Sequence, residues 1–116
     1  MATNKVLDLN GVSRSTLELT LQDEGRTLVR VSMPTEGLVQ ELQSVAPEML
    51  DIMRSGSKDG INEIYDLAAR LISCNRDFLT ITAEELRGKY NMDLESAVIF
   101  FNAYLDFLNT IISEKN

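Results

Sequence analysis

The side chains of this chain that could do chemistry are carboxylates, one cysteine and a lysine beside a glycine. The sequence has 18 acidic residues and no histidine, so the commonest general base and metal ligand is missing. Catalysis by paired carboxylates needs two carboxyl groups that converge in a pocket with different pKa values. Asp23-Glu24 and Glu84-Glu85 are only sequence neighbours, in a predicted turn and at a predicted helix start. These positions favour solvated or capping roles.

Two further motifs fall short of a catalytic or ligand-binding pattern. Cys74 is the only cysteine, and without a histidine partner it favours a half-buried structural role. Gly88-Lys89 matches the end of a phosphate-binding loop, but Ala83 replaces its first glycine and Tyr90 its hydroxyl residue. The residues therefore predict no enzyme, no cofactor and no metal.

Length and charge narrow the remaining function classes. We expect a single domain over residues 1–116, with a β-hairpin region at 1–34 and a helical region at 35–116. The net charge of −7 repels phosphate backbones, which disfavours nucleic acid as a partner. The longest apolar run, residues 97–101, is far shorter than the ~20 residues that cross a bilayer, and no signal peptide is evident. We expect a cytosolic protein without a membrane partner.

The first third of the chain has the pattern of a β-hairpin. Residues 16–22 alternate strictly between leucine and polar side chains, and Val29, Val31 and Met33 share one face of a returning strand at 27–33. Residues 23–26 form the turn, in which Gly25 is free to adopt positive φ. Residues 6–9 are a candidate third, shorter strand. A hairpin is marginal alone, so its apolar face must pack on helices.

The rest of the chain predicts helices. Pro34 ends the sheet and Thr35 can cap a helix with apolar periodicity as far as Ile52. Pro47 interrupts that helix, so we expect a kink or two short helices. The elements that follow are a flexible loop at 55–60, a helix at 61–73, a connection at 75–79, a helix at 83–90 introduced by a Thr82–Glu85 capping box, and a long helix at 93–113. The predicted fold class is α+β, an N-terminal hairpin followed by four to five helices.

The long closing helix has more apolar width than a surface helix requires. At about 100° per residue, its apolar side chains cover an arc of roughly 220°, about twice the width that faces one core. They are Leu94, Ala97, Val98, Phe100, Phe101, Ala103, Tyr104, Leu105, Phe107, Leu108, Ile111 and Ile112. Either this helix lies in the middle of the fold, or part of its surface contacts another chain.

Two stripes can be distinguished on this helix. The stripe of Phe101 and Leu105 favours core packing. A second stripe lies about 100° away and fits core or interface equally well; it comprises Phe100, Ala103, Phe107 and Ile111. Exposed contiguous aromatics would mark an interaction surface. The predicted partner-binding residues are Phe100, Tyr104, Phe107 and Ile111.

The second half of the chain resembles the tail assembly chaperones of long-tailed bacteriophages of Gram-positive hosts. The resemblance rests on Ile64-Tyr65-Asp66-Leu67-Ala68-Ala69 with Ser73 and Asn75, on Ile81-Thr82-Ala83-Glu84-Glu85-Leu86, on Met92-Asp93-Leu94-Glu95, and on Phe100-Phe101-Asn102-Ala103-Tyr104-Leu105-Asp106-Phe107. The hairpin followed by Met33-Pro34-Thr35 is similar to the N-terminal half of that family. Pro47 and Cys74 depart from the family pattern.

The resemblance implies a non-enzymatic role in the host cytoplasm. Such chaperones bind the tape measure protein, a long helical client, before the tail tube protein polymerises around it. A longer frameshifted product is thought to recruit the tube subunit, and self-association into a homo-oligomer is compatible with this role. The alternative is a small acidic regulator or antitoxin-like adaptor that masks a basic partner. It predicts acids clustered on one face and binding that weakens sharply with salt.

Overall fold

The structure, a computed structural model, describes residues 16–114 and the side chains of residues 16–111. The candidate strand at residues 6–9 lies outside the described residues. Within them, the chain forms one antiparallel hairpin followed by five α-helices, which confirms the α+β fold class. The elements are β1 Leu17–Thr20, β2 Leu28–Val31, α1 Glu36–Val45, α2 Met49–Ser55, α3 Lys58–Ile72, α4 Ala83–Arg87 and α5 Leu94–Glu114.

The hairpin turn differs in one detail from the prediction. Arg26, not Gly25, has positive φ, at 47°. The Asp23 carboxylate accepts hydrogen bonds from the Thr27 amide at 2.7 Å and the Thr27 hydroxyl at 2.5 Å, and the Asp23 carbonyl accepts from the Arg26 amide at 3.0 Å. These bonds hold the turn around Asp23 and place Arg26 where the chain reverses into β2.

The helices after the hairpin begin and end where local signals place them. A 3-10 turn at Ala46–Glu48, which contains Pro47, separates α1 from α2, and this confirms the predicted pair of short helices. The predicted loop at 55–60 is shorter than expected. Gly56 ends α2 at φ 66°, and the Ser57 hydroxyl accepts from the Gly60 amide, so α3 already begins at Lys58. The predicted capping box at the start of α4 is present in both of its hydrogen bonds.

The core lies between α3, α5 and the inner face of β2. Its largest fully buried side chains include Tyr104, Phe101, Leu42, Ile64, Leu67, Leu71, Ile72, Val29 and Val31. Helix α3 contributes an almost continuous buried face because its apolar residues recur at helical spacing. The wide apolar arc of α5 is therefore explained in large part by a position inside the fold.

A feature that the sequence did not predict is the pairing of the α3–α4 connection with β2. Asn75 forms an isolated antiparallel bridge with Val31. The Ser32 amide donates to the Cys74 carbonyl at 2.7 Å, and the Arg76 amide donates to the Arg30 carbonyl at 3.0 Å. Strand β2 thus lies between β1 on one edge and residues 74–76 on the other.

Candidate partner-binding surface

The structure places three of the four predicted partner-binding residues in the core. Phe100 is 3% exposed, Tyr104 0% and Ile111 8%, while Phe107 is half-buried. A partner that meets the folded surface cannot contact Tyr104 directly, whereas Phe100 keeps a small exposed part where it lines an apolar groove. Phe107 is the member of the predicted set that retains the most accessible surface.

The aromatic residues of α5 form one packed cluster. The ring centroids of Phe100 and Tyr104 lie 5.6 Å apart, and those of Tyr104 and Phe107 lie 5.8 Å apart. The Tyr104 hydroxyl donates a 2.9 Å hydrogen bond to the Ser32 carbonyl, just beyond β2. Burial raises the pKa of Tyr104 well above its usual range, so the phenol stays protonated and keeps this bond. The cluster fixes α5 against the sheet.

An apolar groove remains open between β1 and the first half of α5. It has a volume of about 220 Å³, and we call it the β1–α5 groove. Its apolar lining comes from Leu17, Leu19, Leu21, Tyr90, Met92, Ile99, Phe100 and Ala103, and its polar lining from Glu18, Thr20, Gln22 and Ser96. Ile99 is 60% exposed, although it is a large aliphatic residue in the middle of a helix. Ile99, Ala103 and Phe107 follow one another at i, i+4 and i+8, so they form a continuous stripe along α5.

One end of the groove is closed by side-chain hydrogen bonds. The Asn91 amide donates to the Gln22 carbonyl at 3.1 Å, and the Gln22 amide donates to the Ser96 hydroxyl at 3.3 Å. The Leu21 amide, in contrast, donates to the carbonyl of Thr27, the residue before β2. Since backbone groups alternate along a strand, those of Thr20 and Glu18 point away from β2, towards the side on which Asn91 meets Gln22. Among the described residues, no further strand pairs with that edge of β1.

Ile99 is the member of this surface that the sequence analysis did not single out. On the helical wheel it stands about 140° from Tyr104, among the exposed residues Glu95, Asn102 and Asp106. A large aliphatic side chain on an otherwise polar face is the signal that could have identified it. The predicted partner-binding residues lie within the apolar arc, where a helix packs against its own core, whereas Ile99 lies outside it.

A smaller groove lies on the other side of α5, against α2. It has a volume of about 170 Å³ and is lined by Ala46, Met49, Leu50, Met53, Val98, Phe101, Asn102 and Leu105. Leu50 is exposed beside it. Helix α5 therefore has apolar grooves along both flanks, and the one at β1 is the larger.

Several carboxyl groups of the described residues accept hydrogen bonds that lower their pKa. Hydrogen bonds from Thr27 lower the pKa of Asp23, and hydrogen bonds from Arg30 lower that of Asp77. The Ser96 amide donates to Asp93 at the start of α5 and lowers the pKa of that carboxyl. No group of three or more His, Cys, Asp or Glu side chains in the described part of the chain is arranged to hold a metal ion. Over the same residues, no helix is long and apolar enough to cross a membrane.

Comparison with models of known protein families, with curated proteins and with solved structures gives no match for this chain. A function for this chain therefore has to be inferred from its own surfaces.

Proposed function

We propose that this chain is a tail assembly chaperone that binds the tape measure protein through the β1–α5 groove. The observation that carries the proposal is the accessible apolar stripe of Ile99, Ala103 and Phe107 beside that groove. An apolar groove of this kind is a common recognition site for the apolar face of a partner helix. The net charge of −7 would help to keep a complex with an apolar client in solution.

The motifs behind the family resemblance support the proposal through their structural roles. Thr82 and Glu85 form the capping box of α4. The Ser73 hydroxyl donates to the Ile81 carbonyl and accepts from the Ile81 amide. These two bonds join the end of α3 to the residue just before the Thr82 cap of α4. Asn75 organises the connection between them. If this chain shares its architecture with the phage chaperones, the same structural roles would account for the motifs that they have in common.

The test is co-expression of the full chain with terminal segments of a long, helix-rich protein encoded beside it. We expect the wild-type chain to keep such a segment in solution and to co-purify with it. The double variant Ile99→Asp with Ala103→Asp should co-purify with at least tenfold less client, because it places two negative charges at the groove. Both positions are already exposed, so the variant should retain its helical circular dichroism.

Asn109→Asp is the matched control, since Asn109 is exposed on the same helix and does not line the groove. It adds one negative charge, half of what the double variant adds, at a position away from the groove, and it should leave client binding unchanged. A client held by apolar contacts should also dissociate little when salt is raised, whereas the acidic-adaptor alternative predicts steep weakening. Equal loss of the client in the double variant and the control would reject the groove as its binding site.

A further inference from the structure

The free edge of β1 lies beside the β1–α5 groove. The backbone groups of Glu18 and Thr20 point away from β2, and within the described residues no strand pairs with them. Such unpaired groups are a template for a further strand. The groove extends from β1 to the 60% exposed side chain of Ile99 on α5, so a strand added at this edge would cover it. Its volume of about 220 Å³ is below the roughly 300 Å³ at which small-molecule pockets start.

Helix α5 runs antiparallel to β1. Its first turn lies at the end of β1, where the Gln22 side chain donates to Ser96 at 3.3 Å. Further along α5, Tyr104 donates to the carbonyl of Ser32, which follows the β2 residue that pairs with the start of β1. A strand added antiparallel to β1 would therefore run in the same direction as α5.

The sequence before β1 contains a segment that fits this edge. Lys5, Leu7 and Leu9 alternate with Val6 and Asp8, so in an extended segment the first three share one face. Side chains two residues apart on a strand repeat about every 6.6 Å. This face presents one basic and two apolar side chains in a row.

The exposed stripe of α5 beside the groove has nearly the same repeat. Glu95, Ile99 and Ala103 are all exposed, and residues four apart on a helix repeat about every 6 Å. When the two rows run in one direction, a base meets an acid and each leucine meets an apolar residue. The pairs are Lys5 with Glu95, Leu7 with Ile99 and Leu9 with Ala103.

The length and charge of the first 15 residues also suit a contact within the chain. The described residues start at Thr16, one residue before β1. Residues 10–16 would connect the segment to β1, and they are long enough because neighbouring strands are only about 4.8 Å apart. Residues 1–15 contain two basic side chains and one acidic side chain, whereas the whole chain has a net charge of −7. The segment is thus attracted to the acids beside the groove, Glu18 and Glu95.

We propose that residues 5–9 of the same chain add to the free edge of β1 as a third strand and place Leu7 and Leu9 in the β1–α5 groove. The chain's own N-terminal segment then covers the groove in the free protein. A client gains access to the groove only by displacing this segment. That last step rests on the proposed function, whereas the position of the segment does not.

Hydrogen exchange of the full chain, measured without a client, tests where the segment lies. In the wild type we expect the Glu18 and Thr20 amides to exchange slowly, because both donate to the added strand. Leu7→Asp should accelerate their exchange at least tenfold, because it places a carboxylate in an apolar groove. Val6→Asp is the matched control, since it introduces the same side chain on the opposite face of the segment and should leave both amides close to wild type.

Three results of this measurement overturn the proposal. The first is exchange of the Glu18 and Thr20 amides in the wild type at the rate of an unstructured peptide. The second is slow exchange that Leu7→Asp leaves unchanged. The third is equal acceleration by Leu7→Asp and Val6→Asp, which would show that neither face of the segment enters the groove.

Disulfide formation tests the pairing of the segment with α5. In a chain with Cys74→Ser, Leu7→Cys combined with Ile99→Cys should form a disulfide within one molecule. We expect this disulfide to form at least tenfold faster than that of Val6→Cys combined with Ile99→Cys. Non-reducing electrophoresis distinguishes an internal bond from one between two copies. A disulfide that joins two copies, or equal rates in the two variants, overturns the proposal.

Co-expression with the client separates this inference from the proposed function. Leu7→Asp should co-purify with at least as much client as the wild type, because its groove is uncovered. If Leu7→Asp releases the edge amides and neither chain binds a client, the segment lies where proposed and the proposed function fails. If the edge amides of a client-binding wild type are unprotected in the free chain, only the position of the segment is rejected.

Discussion

The aromatic residues of α5 and the single phenylalanine of the α3–α4 connection have opposite environments. Phe100, Phe101 and Tyr104 are buried in one cluster, and the Tyr104 hydroxyl is satisfied by a backbone carbonyl. Phe78 stands almost fully in solvent at positive φ. Both segments are held by the neighbourhood of β2, since α5 bonds to Ser32 and the connection bonds to Arg30.

This difference shows that apolar character does not by itself assign a residue to the core or to a surface. On α5 the helical repeat returns aromatic side chains to the same side every three or four residues, so one packed neighbour covers several of them. In the connection, four hydrogen bonds to the Asn75 side chain determine the backbone path. That path directs Phe78 outwards.

The largest expected effect comes from removing the centre of the buried cluster. Tyr104→Ala deletes a fully buried ring and its hydrogen bond to Ser32, so we expect the free energy of unfolding to fall by about 3–5 kcal/mol. Urea denaturation followed by circular dichroism measures this change. Tyr104→Phe keeps the ring and should cost only about 1–2 kcal/mol, for the carbonyl left without its donor. A loss below about 1 kcal/mol in the alanine variant would contradict the core role of Tyr104.

The next effect tests what holds the connection in place. Asn75→Ala removes four partly buried hydrogen bonds, and we expect a loss of about 2–3 kcal/mol in the free energy of unfolding. Asn75→Asp keeps the two bonds accepted from backbone amides but places a carboxylate oxygen against the carbonyls of Ile72 and Leu79, so it should also destabilise the fold. Hydrogen exchange should show faster exchange of the Asp77 and Leu79 amides in the alanine variant. Unchanged exchange would show that the loop is held without Asn75.

Phe78→Gly, unlike the two preceding substitutions, should stabilise the fold. Glycine adopts positive φ without the steric cost that phenylalanine bears, and the Phe78 side chain buries almost no surface in the fold. We therefore expect the free energy of unfolding to rise by about 1 kcal/mol. Phe78→Ala keeps the steric cost and should change stability by less than about 0.5 kcal/mol. Thermal unfolding followed by circular dichroism measures the stability of both variants. A destabilised glycine variant would mean that the Phe78 ring supports the fold.

The smallest expected effect is on the stability of the fold at acidic pH. The Arg30 hydrogen bonds lower the pKa of Asp77 below its ordinary value of 3.8, so the folded chain binds this proton more weakly than the unfolded chain. The stabilisation is complete above that ordinary value and is lost as the pH falls through the folded pKa. Asp77→Asn should therefore show a shallower decline of stability below about pH 4. Glu24→Gln, a turn carboxylate, is the comparison variant, and an identical decline in both would contradict this role for Asp77.

Much of the fold could be predicted from local patterns. The alternating leucines identified β1, Pro47 identified the break between α1 and α2, and the Thr82–Glu85 pair identified the start of α4. These features depend on residues within one or two turns of each other. The start of α3 was predicted three residues late, because Ser57 caps the helix within a segment that composition describes as a loop.

The candidate site was predicted less well, and the reason lies in long-range packing. The apolar arc of α5 was recognised, but the buried part of it was assigned to the partner. Only the placement of β1 and α3 around α5 shows that Tyr104 faces inwards and that Ile99 borders a groove. Phe78 lay within the predicted connection at 75–79. Its positive φ and its exposure could not be predicted, because they depend on hydrogen bonds that Asn75 and Arg30 make with the residues around it.

The sequence by itself determined the order and type of the helices and strands, the α+β class and the acidic charge, because these follow mostly from neighbours along the chain. Tertiary structure alone decided which flank of α5 is covered, which groove stays open, and that residues 74–76 extend the sheet beside β2. Those properties depend on segments far apart in sequence, such as Ser32 and Tyr104. Hydrophobic periodicity records how much surface a helix can bury, and only the packed neighbours determine which part of that surface is buried.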